Sequence, residues 1–454
     1  MNLPSYLETK PSGFKGLGNL PRHWEVIRGR FVMRVNPSAP RLRNLKPEDE
    51  VSFVPMEAVG EYGGLNLEQT RVIADVSSGY TEFQDGDVVV AKITPCFENG
   101  KAGLAHGLLN GAAYGTTELH VLRAGPTLDR GFLFYVAISD RFRKLGESEM
   151  YGAGGQKRVP PEFNKDFPMP VPPAAELQQI AAFLDWKTCQ IDALIARKKE
   201  LLEKLKEKRI AVITQAVTQG LNPAAPMRDS GIPWFGQVPQ HWIVKRLRYC
   251  AGLVTSGSRG WAQHFSDFGE LFLRITNLDR ESIELLLEDL QRVEPPDGAE
   301  GARTLTKAGD LLISITADLG SVAVIPSGLE PAYVSQHLSL VRLDTIAIDP
   351  NWIAYSIFSH AGKFQLRMAG YGGTKVQLSL GDIKEIGFCH PPTLEEQHEI
   401  LHFIRAKTKQ TEDLIDLTSQ AIDRLNEYRT ALITAATTGK IDVRNVNRPT
   451  QGQP

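Results

Sequence analysis

Two glycine-rich loops carry side chains with the chemistry to touch nucleic acid. Tyr151-Gly152-Ala153-Gly154-Gly155-Gln156-Lys157-Arg158 and Tyr371-Gly372-Gly373-Thr374-Lys375-Val376-Gln377 follow flexible backbone with amides, hydroxyls and cations. Glycine lets backbone approach a ligand closely, and Gln, Lys and Arg offer donor geometries for base edges or phosphate oxygens. The candidates here are Gln156, Lys157, Arg158, Thr374, Lys375 and Gln377. A third loop, Thr255-Ser256-Gly257-Ser258-Arg259-Gly260-Trp261, adds Ser256, Ser258 and Arg259, with Arg246 and Arg248 upstream. Lys92-Ile93-Thr94 and Asn99-Gly100-Lys101 follow a strand in the first half and could present Lys92 and Lys101. Taken singly, each loop reads as an ordinary charged turn. Recurrence in both halves of the chain is what points to contact.

Catalytic chemistry is absent from the pattern. The Asn-Pro pairs Asn36-Pro37 and Asn222-Pro223 continue as Ser38 and Ala224, so no Asn-Pro-Pro-aromatic loop for adenine methylation occurs. Gly100-Lys101, Gly362-Lys363 and Gly439-Lys440 lack the leading glycine and trailing hydroxyl of a phosphate loop. Glu8-Thr9-Lys10 has no preceding Asp to complete a nuclease site. His23 and His241 each sit beside a Trp, without a second ligand at metal spacing, and are read as structural. No catalytic residue, metal site or cofactor is expected.

The elements that position these loops are written twice. Ser12-Gly13, Gly18, Pro21, His23-Trp24 and Val26 recur as Ser230-Gly231, Gly236, Pro239, His241-Trp242 and Val244, all seven at one offset of 218 residues. Gly86-Asp87 and Arg123 reappear as Gly309-Asp310 and Arg342, and Pro172-Pro173 as Pro391-Pro392. A fixed register over so many positions means one unit encoded twice. Within each unit, strand-like runs at 87–94 and 119–122, then a helical stretch at 132–145 with its counterpart at 352–366, predict an α+β domain.

Each domain is followed by a helix-favouring stretch. Residues 174–219 contain neither Pro nor Gly between Pro173 and Gly220, which predicts one long helix; residues 394–438 match it. Ile191, Leu194, Leu201, Leu205 and Val212 suggest an apolar seam facing Ile400, Ile404, Ile415, Ile422, Leu425 and Leu432. Pairing the two copies antiparallel would bury both seams and hold the domains apart on a rod of about 60 Å. The cations Arg197, Lys198, Lys199, Lys204, Lys206, Lys208 and Arg209 are read as a solvated face, partly balanced by Glu200, Glu203 and Glu207.

Net charge is uninformative: 51 Lys and Arg oppose 53 Asp and Glu, so only local clusters could mark an anionic partner. One such cluster is Arg22, Arg28, Arg30, Arg34, Arg41, Arg43 and Lys46, opposed within that stretch by Glu25 alone. Four scattered cysteines, Cys96, Cys189, Cys250 and Cys389, read as reduced, mostly buried thiols. With no apolar leader and no membrane-length apolar run, a cytoplasmic protein without membrane contact is expected.

At Met227-Arg228-Asp229-Ser230-Gly231-Ile232-Pro233-Trp234-Phe235-Gly236-Gln237-Val238-Pro239-Gln240-His241-Trp242 the chain resembles the opening of a target recognition domain in type I restriction-modification specificity subunits. Residues 10–26 are a weaker first copy. Pro391-Pro392-Thr393-Leu394-Glu395-Glu396-Gln397 with Ile400 approximates that family's Pro-Pro-x-x-Glu-Gln-x-x-Ile domain end, whereas in the first half Leu177 separates Glu176 from Gln178. The resemblance implies recognition domains at 1–173 and 221–392, spacer helices at 174–220 and 393–440, and a flexible tail at 441–454. It further implies double-stranded DNA as ligand, read as a bipartite asymmetric site. The implied partners are DNA adenine methyltransferase subunits and motor-nuclease subunits. Two other readings are open from sequence: the recognition subunit of a standalone methyltransferase or hybrid restriction enzyme, and a coiled-coil scaffold without a nucleic-acid role.

Overall fold

The computed structural model describes residues 3–14, 16–296, 299–370 and 376–446. They form two compact units, Met1–Lys198 with Gln420–Pro454, and Lys199–Ser419. Each is α+β, and each follows one plan.

In the first unit, one four-stranded sheet runs Thr70–Val72, Glu50–Val54, Ala112–Gly115, Thr81–Gln84, with Ala112–Gly115 parallel to Glu50–Val54. The other runs Met33–Val35, Leu119–Ala124, Val88–Ala91, Ala102–Leu104, antiparallel throughout. The second unit repeats the antiparallel sheet strand for strand and keeps the parallel pair of the mixed sheet, which there stands at the sheet edge. Phe265–Ser266, Gln291–Val293, Glu270–Leu273 and Ala332–Val334 make one sheet with a single parallel pair, and Ala251–Ser256, Leu338–Leu343, Leu311–Ser314 and Val322–Val324 make the other. Strands Val88–Ala91 and Leu311–Ser314 are buried at every residue. That explains why they read as continuous apolar runs without alternation.

The helical stretch at 132–145 is two helices, Arg130–Ile138 and Asp140–Ser148, and its counterpart is Pro350–Phe358 and His360–Ala369. Periodicity ran through the break because the apolar spacing continues. Ser139 and Ser359 interrupt it: each has extended backbone, and each hydroxyl accepts a backbone N–H of the following turn, from Phe142 at 3.3 Å and Gly362 at 3.1 Å.

The long helices are Ala174–Gln219 and Leu394–Thr437. Each compact unit contains the N-terminal half of one and the C-terminal half of the other, the arrangement that antiparallel pairing requires. In the first unit Asp192 accepts from Arg429 at 2.6 Å, and Arg429 also stacks on Tyr62 with its guanidinium 4.4 Å from the ring centre. In the second, Arg209 pairs with Glu281 and is 5% exposed, so this cation anchors the helix to its sheet domain instead of joining a solvated face. The seam keeps Ile191 and Leu205 of the expected stripe but leaves it elsewhere. Ile191, Ile195 and Leu205 are buried while Leu194 and Leu201 are 46% and 45% exposed, because the 3.6-residue repeat drifts away from a heptad over this length.

The helix ends dock through equivalent contacts. Asp140 N–H donates to Thr434 Oγ1 at 3.2 Å and His360 N–H to Thr214 Oγ1 at 2.9 Å, so Ile213-Thr214 and Ile433-Thr434 mark the same joint twice. Just beyond, Gly439 and Gly220 adopt φ of +66° and +72° against Trp24 and Trp242. A Cβ at Gly439 would stand 2.3 Å from Pro21 Cδ. Gly439→Ala is therefore expected to destabilise the first unit by more than about 1 kcal/mol, from backbone strain plus the clash. Urea denaturation of the purified chain checks this. Residues 441–446, expected in a flexible tail, dock as well: Asp442 N–H donates to the Pro4 carbonyl at 2.7 Å and Val443 is buried. The rest of the expected tail lies outside the described residues.

Candidate nucleic-acid interface

The repeated motifs divide into frame and surface. Asp87 accepts from Arg123 Nε at 2.6 Å and Nη2 at 2.7 Å; Asp310 accepts from Arg342 at 2.8 and 2.6 Å. Both carboxylates are almost fully buried, and each also receives a backbone N–H, from Gln84 at 2.9 Å or Lys307 at 2.7 Å. Each pair ties a turn to the strand running antiparallel to it.

The His-Trp pairs are frame too. His23 Nε2 lies 2.7 Å from Glu176, Trp24 Nε1 donates to it at 3.1 Å, and the Tyr6 hydroxyl donates at 2.5 Å. His241 and Trp242 hold Glu396 in the same manner at 3.0 Å each. The motif fastens each sheet domain to the first turn of the helix that follows it. Burial and the Glu176 carboxylate push the Tyr6 phenol well above its ordinary range, so it remains a donor. Sequence reasoning missed Glu176 and Glu396 as acceptors. Their signal was the fixed place after each Pro-Pro break.

In the first unit the surface candidates assemble around one loop pair. Thr94 N–H donates to the Lys157 carbonyl at 3.0 Å, the Thr94 hydroxyl to the Gly155 carbonyl at 2.7 Å, and Lys157 N–H back to Thr94 Oγ1 at 3.0 Å. Lys92, Gln156, Lys157 and Arg158 are thereby brought together, with Gln156 and Lys157 exposed. Arg158 is half-buried and donates two bonds of 2.9 Å to Glu118, whose carboxyl is held below its usual range chiefly by that bond. Lys101 stands apart: its ammonium donates to the Met56 carbonyl at 3.2 Å. Nearby His120 is buried, which lowers its basicity, and its Nε2 donates to the Val159 carbonyl at 2.9 Å.

In the second unit the candidates gather about residues 334–338. Gly257 N–H donates to the Leu338 carbonyl at 3.0 Å and Ser258 N–H to the Val334 carbonyl at 2.7 Å. Ser258 is buried with its hydroxyl 2.8 Å from Thr304 Oγ1, so it supports the loop and does not reach its surface. Ser256 ends a strand opposite Ser339, and Arg259 is exposed. Gln377 is exposed and bridges to Thr316, as Arg158 bridges to Ile93 in the first unit. Thr374 and Lys375 lie outside the described residues.

The basic cluster at 22–46 is less available than its sequence suggests. Arg22 pairs with Glu8, and Arg28 and Arg30 share Asp166. Of the cysteines, Cys250 and Cys389 are buried, Cys96 is half-buried and Cys189 is exposed. Burial pushes the Cys250 thiol up to about 11. Among the described residues no His, Cys, Asp and Glu group could hold a metal ion, and no helix is long and apolar enough to cross a membrane.

What the fold defines is a duplicated α+β presenting domain, each copy clamped to the end of a long helix and each displaying polar loops at an equivalent place. Residues 301–427 match the family described as the Type I restriction modification DNA specificity domain. The chain is 41% identical over 163 residues to the EcoAI specificity subunit of Escherichia coli, covering 36% of this chain and 27% of that protein. It is 22% identical over 289 residues to the EcoBI specificity subunit of the same species, covering 61% and 59%. The matched part thus spans about a quarter of the EcoAI relative's length and about three-fifths of the EcoBI relative's. In fold, it superposes on a chain from a structure of type I restriction-modification complex assembly and conformational transition with a TM-score of 0.73 at 17% identity, over 93% of this chain and 99% of that one. The HsdS subunit from Thermoanaerobacter tengcongensis superposes with a TM-score of 0.53 at 18% identity, over 93% and 98%. Over residues 301–427 the chain is thus similar in sequence to a type I specificity domain, and over most of its length it shares its fold with a subunit of that system.

Proposed function

We propose that this chain supplies DNA sequence recognition to a type I restriction-modification complex and performs no catalysis itself. Residues 1–173 and 221–392 act as two recognition domains, each reading one half of an interrupted, asymmetric site. The helices at 174–220 and 393–440 space them and receive adenine methyltransferase subunits, which motor-nuclease subunits join. The observation that carries this reading is the duplication of one presenting domain with different side chains in its two loop clusters, alongside the specificity-domain match at 301–427.

Physical chemistry supports the division of labour. Phosphate contacts set register, and base-edge contacts carry sequence information. Lys92, Lys157 and Arg259 supply cations for the first task; Gln156, Ser256 and Gln377 supply donors and acceptors for the second, while the Arg158 fork is spent on Glu118 and the Lys101 ammonium on the Met56 carbonyl. Thr374 and Lys375 belong to the second cluster by sequence. Two different readers on one chain give a non-palindromic site, with half-site spacing fixed by geometry.

The test is to sequence methylated adenines across the source genome with and without this gene. One two-part motif should vanish on deletion and return on complementation. An unchanged methylation pattern on deletion contradicts the reading.

A further inference from the structure

In each unit the chain crosses from one four-stranded sheet to the other through three residues: 116–118 between Ala112–Gly115 and Leu119–Ala124, and 335–337 between Ala332–Val334 and Leu338–Leu343. The two turns are held by the same backbone bonds. Thr116 N–H donates to the Val54 carbonyl at 3.1 Å, and Ser335 N–H to the Leu273 carbonyl at 2.9 Å, in both cases at the end of the parallel neighbour strand. On the other side, Lys92 N–H donates to the Glu118 carbonyl at 2.9 Å and Ile315 N–H to the His337 carbonyl at 3.1 Å. One residue further, Ile93 bridges to Arg158 and Thr316 to Gln377.

This common backbone lets the two units be compared position by position within one chain. Frame residues are identical: Asp87 and Asp310, Arg123 and Arg342, Trp24 and Trp242, Glu176 and Glu396. The crossover turns differ, with Thr116-Thr117-Glu118 standing where the second unit has Ser335-Gln336-His337. The facing strand differs too, Arg158 against Gln377. The chemistry around each turn follows. In the first unit Glu118 is consumed by the Arg158 fork, leaving Thr117 exposed at the tip. In the second, His337 Nδ1 lies 3.1 Å from Thr316 Oγ1, which fixes the ring, and the Gln336 amide nitrogen lies 3.5 Å from His337 Nε2, at the outer limit of a hydrogen bond. Gln336 is thus steered without being used up.

If the two units read different half-sites, their readers must diverge where a turn held by the same backbone bonds presents side chains beside the candidate loops. We propose that the crossover turns are specificity-determining, with Gln336 reading a base edge in the second half-site and Thr117 in the first; this rests on the DNA-recognition reading above. Glu118 and His337 are positioning residues. Gln presents a donor and an acceptor that match adenine N7 and N6, so Gln336 selects an A·T pair, whereas the Thr117 hydroxyl and methyl discriminate less sharply.

The test complements a deletion of the gene in the source organism with the full-length wild-type chain or with a variant, and sequences the methylated adenines. Gln336→Ala should leave the first half of the motif intact and relax one position of the second, with at least about a tenfold loss of base discrimination there. Gln336→Glu should move the preferred base at that position from adenine to cytosine, whose exocyclic amine needs an acceptor. Thr117→Ala should alter the first half alone. A motif unchanged in both halves with Gln336→Glu overturns the proposal, whether or not Gln336→Ala remains active. If the wild-type chain itself restores no two-part motif, it is the recognition reading that fails, and the assignment of Gln336 falls with it.

Discussion

Asp310→Ala is expected to lower the melting temperature of the second unit by on the order of 10 °C. The carboxylate is 2% exposed and receives two bonds from Arg342 and one from the Lys307 backbone. Removing it leaves a guanidinium only 26% exposed facing a cavity, with one remaining bond to the Leu305 carbonyl at 3.0 Å. Breaking a buried pair from one side costs about 3–5 kcal/mol, and the water reaching Arg342 places this case at the lower end. For a domain of this size each kcal/mol shifts melting by about 2–4 °C. The hydrogen bond to the Asp310 carboxylate raises the affinity of Arg342 for its proton. The same substitution at Asp87 should act on the first unit. Scanning calorimetry checks both, and a shift below about 2 °C would mean that the pair does not tie turn to strand.

The second large effect is expected at Glu176. Its side chain is 6% exposed and accepts from the Tyr6 hydroxyl and the Trp24 indole while meeting His23. Glu176→Ala strands buried donors at the point where domain and helix join, a loss of about 3 kcal/mol from hydrogen bonds to a charged acceptor. Glu176→Gln keeps an acceptor and should cost roughly half as much. Glu396 offers an internal comparison, since it is 33% exposed and, among the described residues, its carboxylate meets His241 and Trp242 alone. Its alanine variant should lose less. Urea midpoints followed by tryptophan fluorescence give the ranking; equal losses at the two positions would show that burial does not govern the clamp.

Much of the architecture was legible because the gene repeats itself. The His-Trp pairs at one offset gave the duplication, and the span from Ala174 to Gln219 without Pro or Gly gave the helix to its last residue. Local composition could not show partners brought close by folding. Arg28 and Arg30 meet Asp166, which lies far along the chain, so a stretch that reads as strongly basic is partly neutral in three dimensions. Leu194 and Leu201 fit a heptad on paper, yet the untwisted helical repeat turns them outward. At the candidate interface, glycine-rich composition pointed to the loop around Gln156 but not to the crossover turn at 335–337. That turn has no compositional mark, and its place between two sheets exists only once the strands have paired. Ser258 shows the converse: a polar residue in a loop-like string that folding buries against Thr304.

The central claim is that two separate readers on one chain specify two halves of one DNA site. Exchanging residues 12–173 for the matching domain of a related specificity subunit, then sequencing methylated adenines in a host carrying the chimera, tests it most directly. The account predicts that one half of the motif changes to that of the donor while the other half keeps its sequence. A chimera that methylates with both halves altered, or with neither altered, would contradict it.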